Sequence, residues 1–244
     1  MTAVSALREK SGSILQSNHS CLKMYSFPDI FAFISASIHT GIKRPISFLT
    51  LIIVLTLDIT AKSMTGTING HEWIDLGLSV KWATCNVGAE KPEDYGDYFA
   101  WGEPMTKSSY TASNCKTYGI RIGDIKGNST FDAACASWGG TWRLPTKGEC
   151  QELVDKCIWT WVSQEGYSGY RVTSKINGNS IFLPAAGWRY GPLSFNIGEF
   201  GNYCGSTPDE SNAEFACYFH FKSSVHVIGW YFRQYGYSVR PVSD

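Results

Sequence analysis

The sequence predicts an α+β domain of small antiparallel sheets, about two helices and long loops, and three features carry that expectation. Asn69-Gly70 and Asn177-Gly178 are each the dipeptide that accepts positive φ at both centres of a tight hairpin turn. Between them, "RLPTKGECQELVDKC" opens with a capping box, in which Thr146 offers its hydroxyl to the Glu149 amide and Glu149 reaches back.

Taken in order, strands flank Asn69-Gly70 within "MTGTINGHEWIDLGLSVKWATCNVGA". The turn-rich "KPEDYGDYFAWGEP" leads into a short aromatic strand, Tyr98 to Trp101. The Gly, Ser and Asn-rich stretch that follows reads as loop with a short helix near Asp132 to Ser137, and its Asn128-Ser129-Thr130 sequon marks an exposed loop where the source glycosylates that motif. In the capped helix, Cys150, Leu153, Val154 and Cys157 form one apolar stripe, opposite Gln151, Glu152, Asp155 and Lys156. That polar face reads as solvated, because no histidine or second converging carboxylate lies nearby in the chain. The second hairpin runs from Val172–Ile176 to Ser180–Leu183 and ends at Pro184. Farther on, Cys217, Phe219 and Phe221 alternate with Ala216, Tyr218 and His220, and Val225 and Val227 oppose His226 and Ile228. This is a sheet with one apolar face and one face of mixed aromatic and polar residues.

Aromatic residues make up 14% of the 244 and charged residues only 17%, with zero formal net charge. Nucleic-acid binders need clustered Lys and Arg for phosphate contacts, so nucleic acid is excluded as a partner. Lys43 and Arg44 precede an apolar run from Ile46 to Leu57, with Asp58 and then the small Ala61 after it. A membrane-spanning helix needs about 20 apolar residues. The shorter run has the form of a secretory signal; an uncleaved anchor or a core segment are the alternatives. No cysteine follows it to carry a lipid anchor. Residues 1–61 are therefore expected to be a leader with its hydrophobic region at 46–57, and residues 62–244 the domain. The polar stretch 1–42 is awkward before a signal, and a start nearer Met24 or an unusual leader accommodates it. The expected location is secreted or cell-surface, with membrane contact only through an uncleaved leader. Seven cysteines lie beyond the leader, an odd number that leaves at least one thiol unbridged within the chain. One or two disulfides and buried free thiols both remain open.

"EWIDLGLSVKWATCNVGAEKPEDYGDYFAWGE", "WGGTWRLPTKGECQELVDKC", "SKINGNSIFLPAAGWR" and "YGYSVRPV" resemble the Fibrobacter succinogenes major paralogous domain family, common in exported proteins of Bacteroidetes. The resemblance spans Gly70 to Val242. It implies a C-type lectin-like fold, distantly related to the formylglycine-generating enzyme fold, with early and late strands brought together so that "SVRPV" pairs near the segment after Gly70. It also implies scaffold roles for "WGGTWRLP" and Arg240. Physically, Trp101, Trp138 and Trp142 suit large apolar anchors, and Arg143 and Arg240 suit guanidinium groups that hold loops through carbonyls. Some C-type lectin-like proteins of bacteria and phage diversify a C-terminal region by reverse transcription, and the late Tyr, Asn, Ser and His residues suit that pattern.

Formylglycine-generating enzymes hold copper with a closely spaced late cysteine pair, whereas Cys204 and Cys217 are separated by 12 intervening residues and lie outside that motif. A copper-dependent oxidase is therefore the minor alternative. No nucleophile elbow, zinc-protease motif, phosphate loop or dinucleotide fingerprint occurs. His220, His226, Cys204 and Cys217 match no standard zinc spacing. Neither an acidic calcium loop, a cofactor nor a catalytic residue is assigned.

What remains is the aromatic C-terminal third. Trp188, Tyr190, Phe195, Tyr203, Tyr218, Trp230 and Tyr231 are interleaved with Asn196, His220, His226 and Arg233, and these eleven are the candidate ligand-binding residues. Tyr, Trp and Arg join rigid area to a polar end and dominate binding hot spots. The expected function is a non-enzymatic exported module binding a glycan or a surface protein. The alternative is a structural component of a bacterial surface assembly whose aromatics are core.

Overall fold

The computed structural model describes residues 64–244. The expected leader, its apolar run and residues 62 and 63 lie outside the described residues. Among the described residues, no helix is long and apolar enough to cross a membrane.

β1 (Thr65–Ile68) and β2 (His71–Ile74) pair antiparallel with Ile68 opposite His71. The turn between them is Asn69 and Gly70, with φ of 48° and 84°, the two positive values that a tight hairpin of matching twist demands. β3 (Lys81–Ala83) joins β2, and the last strand, β14 (Val242–Ser243), joins β3 with Val242 opposite Trp82. Early and late strands thus share one four-stranded sheet, ordered β1-β2-β3-β14.

The aromatic strand expected over Tyr98–Trp101 shortens to β4 (Tyr98–Phe99), after which Trp101 leaves the sheet. A 3₁₀ turn at Ala112–Asn114 and α1 (Ala133–Trp138) are the regular elements in the long loop region. Asp132 caps α1. α2 (Lys147–Lys156) has the full capping box: Glu149 N donates to Thr146 Oγ1 at 3.2 Å, and Thr146 N donates to Glu149 Oε2 at 2.7 Å. Its stripe turns inward, burying Cys150, Leu153 and the adjoining Cys157.

β5 (Cys157–Gln164), β6 (Tyr167–Ser174) and β7 (Ser180–Pro184) form a three-stranded meander. The Asn177-Gly178 hairpin exists, with Thr173 opposite Ser180, but its connection is longer than two residues. Only Gly178 takes positive φ there, at 78°. Ser174 explains the wider loop, because its hydroxyl donates to Leu76 O at 2.6 Å and accepts from Ile176 N at 3.0 Å. The loop is closed by Ser174 N donating to Asn179 O at 2.8 Å and is also tied to the segment between β2 and β3.

A short ribbon of β8 (Trp188–Tyr190) and β9 (Leu193–Phe195) precedes the largest sheet. That sheet is ordered β12-β11-β10-β13-β4, with β10 (Phe200–Pro208), β11 (Phe215–Lys222), β12 (Val225–Phe232) and β13 (Tyr237–Ser238). It separates two core clusters. Tyr203, Phe219 and Phe221 enter one with Leu153, Val172 and Leu183, while Cys204, Ala216 and Tyr237 enter the other with Phe99, Trp101, Trp138 and Trp142. Alternation along each strand makes this two-sided burial possible.

Buried arginines join the pieces. Arg240, 1% exposed, donates to Asn86 Oδ1 and to the carbonyls of Ala83, Thr84 and Phe182. Arg143 makes a two-pronged contact with Glu149 at 2.8 and 2.9 Å and also reaches Asp244. Arg240 holds loops through carbonyls as its guanidinium suits, whereas Arg143 bonds mainly to carboxylates, with Leu144 O its one carbonyl partner.

Candidate functional site

The register of the large sheet sorts its side chains. On the outer face, Asn202, His220 and Val227 lie in one cross-strand row, and Cys204, Tyr218 and Gly229 in the next. Gly229 is required there because a Cβ would meet the Tyr218 ring at 2.9 Å. Tyr218 lies over the glycine, and Tyr231 follows at the edge, 41% exposed.

From Tyr218 a chain of ring contacts runs both ways. In one direction it passes to Tyr231 at 5.4 Å, from Tyr231 to Tyr235 at 5.3 Å, and from Tyr235 to Tyr190 at 5.0 Å. In the other it passes to His220 at 5.8 Å, then Phe200 at 5.3 Å, then Trp188 at 5.9 Å, which stacks on Phe195. Both ends finish on the β8–β9 ribbon, held beside β13 by paired Arg189–Gly236 backbone bonds of 2.9 Å. Such edge and offset contacts add about 0.5–1.5 kcal/mol per pair beyond area burial. The aromatics brace one another and still leave ring surface in water.

Six of the eleven sequence candidates, Trp188, Tyr190, Phe195, Tyr218, His220 and Tyr231, meet in this belt. Asn196 flanks it, holding φ of 53° and donating to Glu199 Oε2 at 3.2 Å. The other four sit elsewhere. Tyr203 is a core residue of the opposite face, its hydroxyl donating to Pro184 O at 2.8 Å. His226 also points to that inner face and stacks on Trp159 at 4.8 Å. Trp230, 36% exposed, lies under the Lys147 ammonium at 4.6 Å, away from the belt. Arg233 overturns its expected exposure most clearly. It is 1% exposed, lies 4.1 Å above the Trp101 ring, and donates to the carbonyls of Phe215, Thr117 and Ile120. Its length and planar fork let it satisfy carbonyls on separate segments.

Tyr235 and Tyr237 belong to the site although neither is among the candidates. Their i, i+2 spacing was the available signal, since it puts both rings on one side of an extended segment. Tyr237 stacks on Tyr218 at 5.9 Å beneath the belt. Burial raises the phenol pKa of Tyr218, Tyr235 and Tyr237, and neighbouring tyrosines add to it. These three phenols are therefore uncharged at neutral pH. Asn202 Nδ2 donates to Gly187 O, so its Oδ1 faces His220 and Nδ1 of the imidazole donates at 2.9 Å. That leaves Nε2 as an acceptor.

Burial lowers the pKa of His71, His220 and His226, with Lys222 adding to the shift at His220. The unfolded chain consequently takes up protons first as pH falls below about 6.5. Stability from these three neutral histidines is complete above that pH and lost below it. The urea midpoint is expected to be lower at pH 5.5 than at pH 7.5; an equal or higher midpoint contradicts the prediction.

An interior void lined by Trp82, Cys150, Leu153, Tyr203 and Cys204 measures about 10 Å³, the space of one water. All seven described cysteines are free. Burial pushes the Cys217 thiol up to about 12 and the Cys204 thiol higher still, opposite to an activated thiolate. Among the described residues, no three His, Cys, Asp or Glu side chains converge as a metal site. Beyond Lys222 an open cleft of about 370 Å³ runs between Trp161 and Phe200.

No family model, curated protein or solved structure matches the chain.

Proposed function

We propose that the chain is an exported, non-enzymatic binding module that takes a glycan or a surface protein on the aromatic outer face of its large sheet. The carrying observation is the continuous belt from Tyr190 through Tyr218 to Trp188, with Tyr190 and Tyr231 presenting 48% and 41% of their surface to solvent. Rigid amphipathic rings held by their neighbours bind with little ordering cost. The proposal includes membership of the Fibrobacter succinogenes major paralogous domain family and a C-type lectin-like fold. The pairing of β14 with β3 and the buried seat of Arg240 support both.

A second reading, a structural component of a surface assembly, draws support from β12. This eight-residue edge strand, "VHVIGWYF", contains neither charge nor proline, the usual guards against edge pairing.

The two readings separate on an array of glycans and surface proteins probed with the full chain. Tyr231→Ala combined with Tyr190→Ala is expected to lower binding at least tenfold, because each removes an exposed anchor. Trp230→Ala is expected to leave it unchanged. Binding indifferent to the double change rejects the belt. Absence of any ligand, with self-association lost on Val227→Lys, favours assembly.

A further inference from the structure

We propose that Tyr190, Tyr218, Tyr231, Tyr235 and Tyr237 form the seat for an uncharged sugar ring, making the ligand a neutral glycan. This rests on the binding face proposed above and narrows it to one site and one ligand chemistry.

The deciding group is Tyr237. Its side chain is 5% exposed, between Tyr218 and the second core cluster, and its hydroxyl makes no hydrogen bond to any described residue. A phenylalanine would fill the same space without the cost of an unpaired hydroxyl, about 1–3 kcal/mol in a buried position. The hydroxyl nevertheless retains a small accessible surface. It stands at the floor of the tyrosine cluster. The four tyrosines around it likewise make no hydrogen bond through their hydroxyls among the described residues. By contrast, Tyr98, Tyr110, Tyr170 and Tyr203 donate to carbonyls and Tyr118 bonds to Glu214. Tyr95 and Tyr167, packed edge to face, are the other described tyrosines whose hydroxyls make no bond, so five of seven such phenols gather in the seat.

Charge and hydrogen-bond type select the ligand. The rings in contact with Tyr190, Tyr218, Tyr231, Tyr235 and Tyr237 are one another, Phe232 and His220, with neither carboxylate nor ammonium nor guanidinium among them. Arg189 turns its guanidinium toward Tyr98 and Tyr110, and Lys222 lies at the far end of the face beyond His220. An acidic glycan would find no cation in the seat and a basic ligand no carboxylate. Each phenol both donates and accepts. Sugar hydroxyls do the same, and the C–H face of a sugar ring stacks on the exposed rings. A polyproline segment offers only acceptors, so it would use half of what the seat provides.

The test uses the full chain and a panel of neutral β-glucan, xylan, mannan and galactan oligosaccharides. Uronic-acid or sialylated counterparts and decaproline complete the panel. Titration calorimetry is expected to show binding to at least one neutral oligosaccharide and none to the acidic set or decaproline. Tyr237→Phe, which removes one oxygen and preserves packing, is expected to weaken binding about 3–10-fold with a urea midpoint equal to or above that of the unsubstituted protein. Tyr231→Ala is expected to weaken it further. Binding only of acidic glycans or decaproline overturns the proposal, as does neutral-glycan binding that Tyr237→Phe leaves intact. A ligand lost with Tyr231→Ala but indifferent to Tyr237→Phe overturns the sugar seat while retaining the outer face. Absence of binding by the whole panel and by the array overturns both.

Discussion

Replacing Arg233 with alanine is expected to destabilise the domain by about 3 kcal/mol or more, and to abolish ligand binding only through that loss. The guanidinium satisfies carbonyls of Thr117 and Ile120 in the long loop region and of Phe215 at the start of β11, while Trp101 covers its face. Removing it takes a donor from three carbonyls, of which Thr117 O and Phe215 O keep one backbone N–H each, from Ile120 and Asp209, and opens a cavity beneath Trp101. Main-chain bonds from Trp101 N to Arg233 O and from Arg233 N to Glu214 O, each 2.9 Å, tie the same pieces together. Lysine retains charge but is a single-point donor without a stacking plane, so Arg233→Lys is expected to recover less than half of the lost stability. Urea denaturation of the three proteins checks the order, wild type above lysine above alanine. An unchanged midpoint with lost binding would instead make Arg233 a ligand contact.

Arg233 also marks where local sequence signals end. Asn69-Gly70 was legible as a hairpin because the requirement for positive φ is met by two adjacent residues. The Thr146–Glu149 box was legible because both partners lie within one turn. Strand alternation likewise separates Phe219 and Phe221 from Tyr218 and His220. It does not say which face meets solvent, and both faces of this sheet meet core for part of their length. His226 and Tyr203 went to the inner face for that reason. Arg240 stands in "SVRPV" and reads as a loop-holding cation, whereas nothing beside Arg233 marks it as one; only the carbonyls brought to it by distant segments do. Tyr237 is the converse case. It lies in "YGYSVRPV", which reads as frame, and its unpaired hydroxyl becomes visible only when Tyr218 is stacked above it.

A larger effect is expected from Asp132→Asn, about 3–5 kcal/mol of lost stability, despite near-identical size. Asp132 is 0% exposed and accepts four backbone N–H groups: Ala134 and Cys135 on Oδ1 at 2.9 and 3.1 Å, Gly127 and Leu144 on Oδ2 at 2.8 and 2.9 Å. Burial pushes its carboxyl pKa up while these four bonds pull it down. An asparagine can offer its oxygen to only one of the two pairs. Its NH₂ would then face two donors, orphaning both amides. α1 has six residues, too short to persist without its cap and its packing. Through Ala133, Ala134 and Trp138 it lines the cluster that also contains Tyr237. Loosening α1 therefore removes support from beneath the tyrosine seat without touching a ligand. Urea titration should show a lower midpoint, and calorimetry at conditions where the variant remains folded should return near-normal affinity per folded molecule. An unchanged midpoint would mean that the four amides find other acceptors, and that α1 is held by its apolar contacts alone.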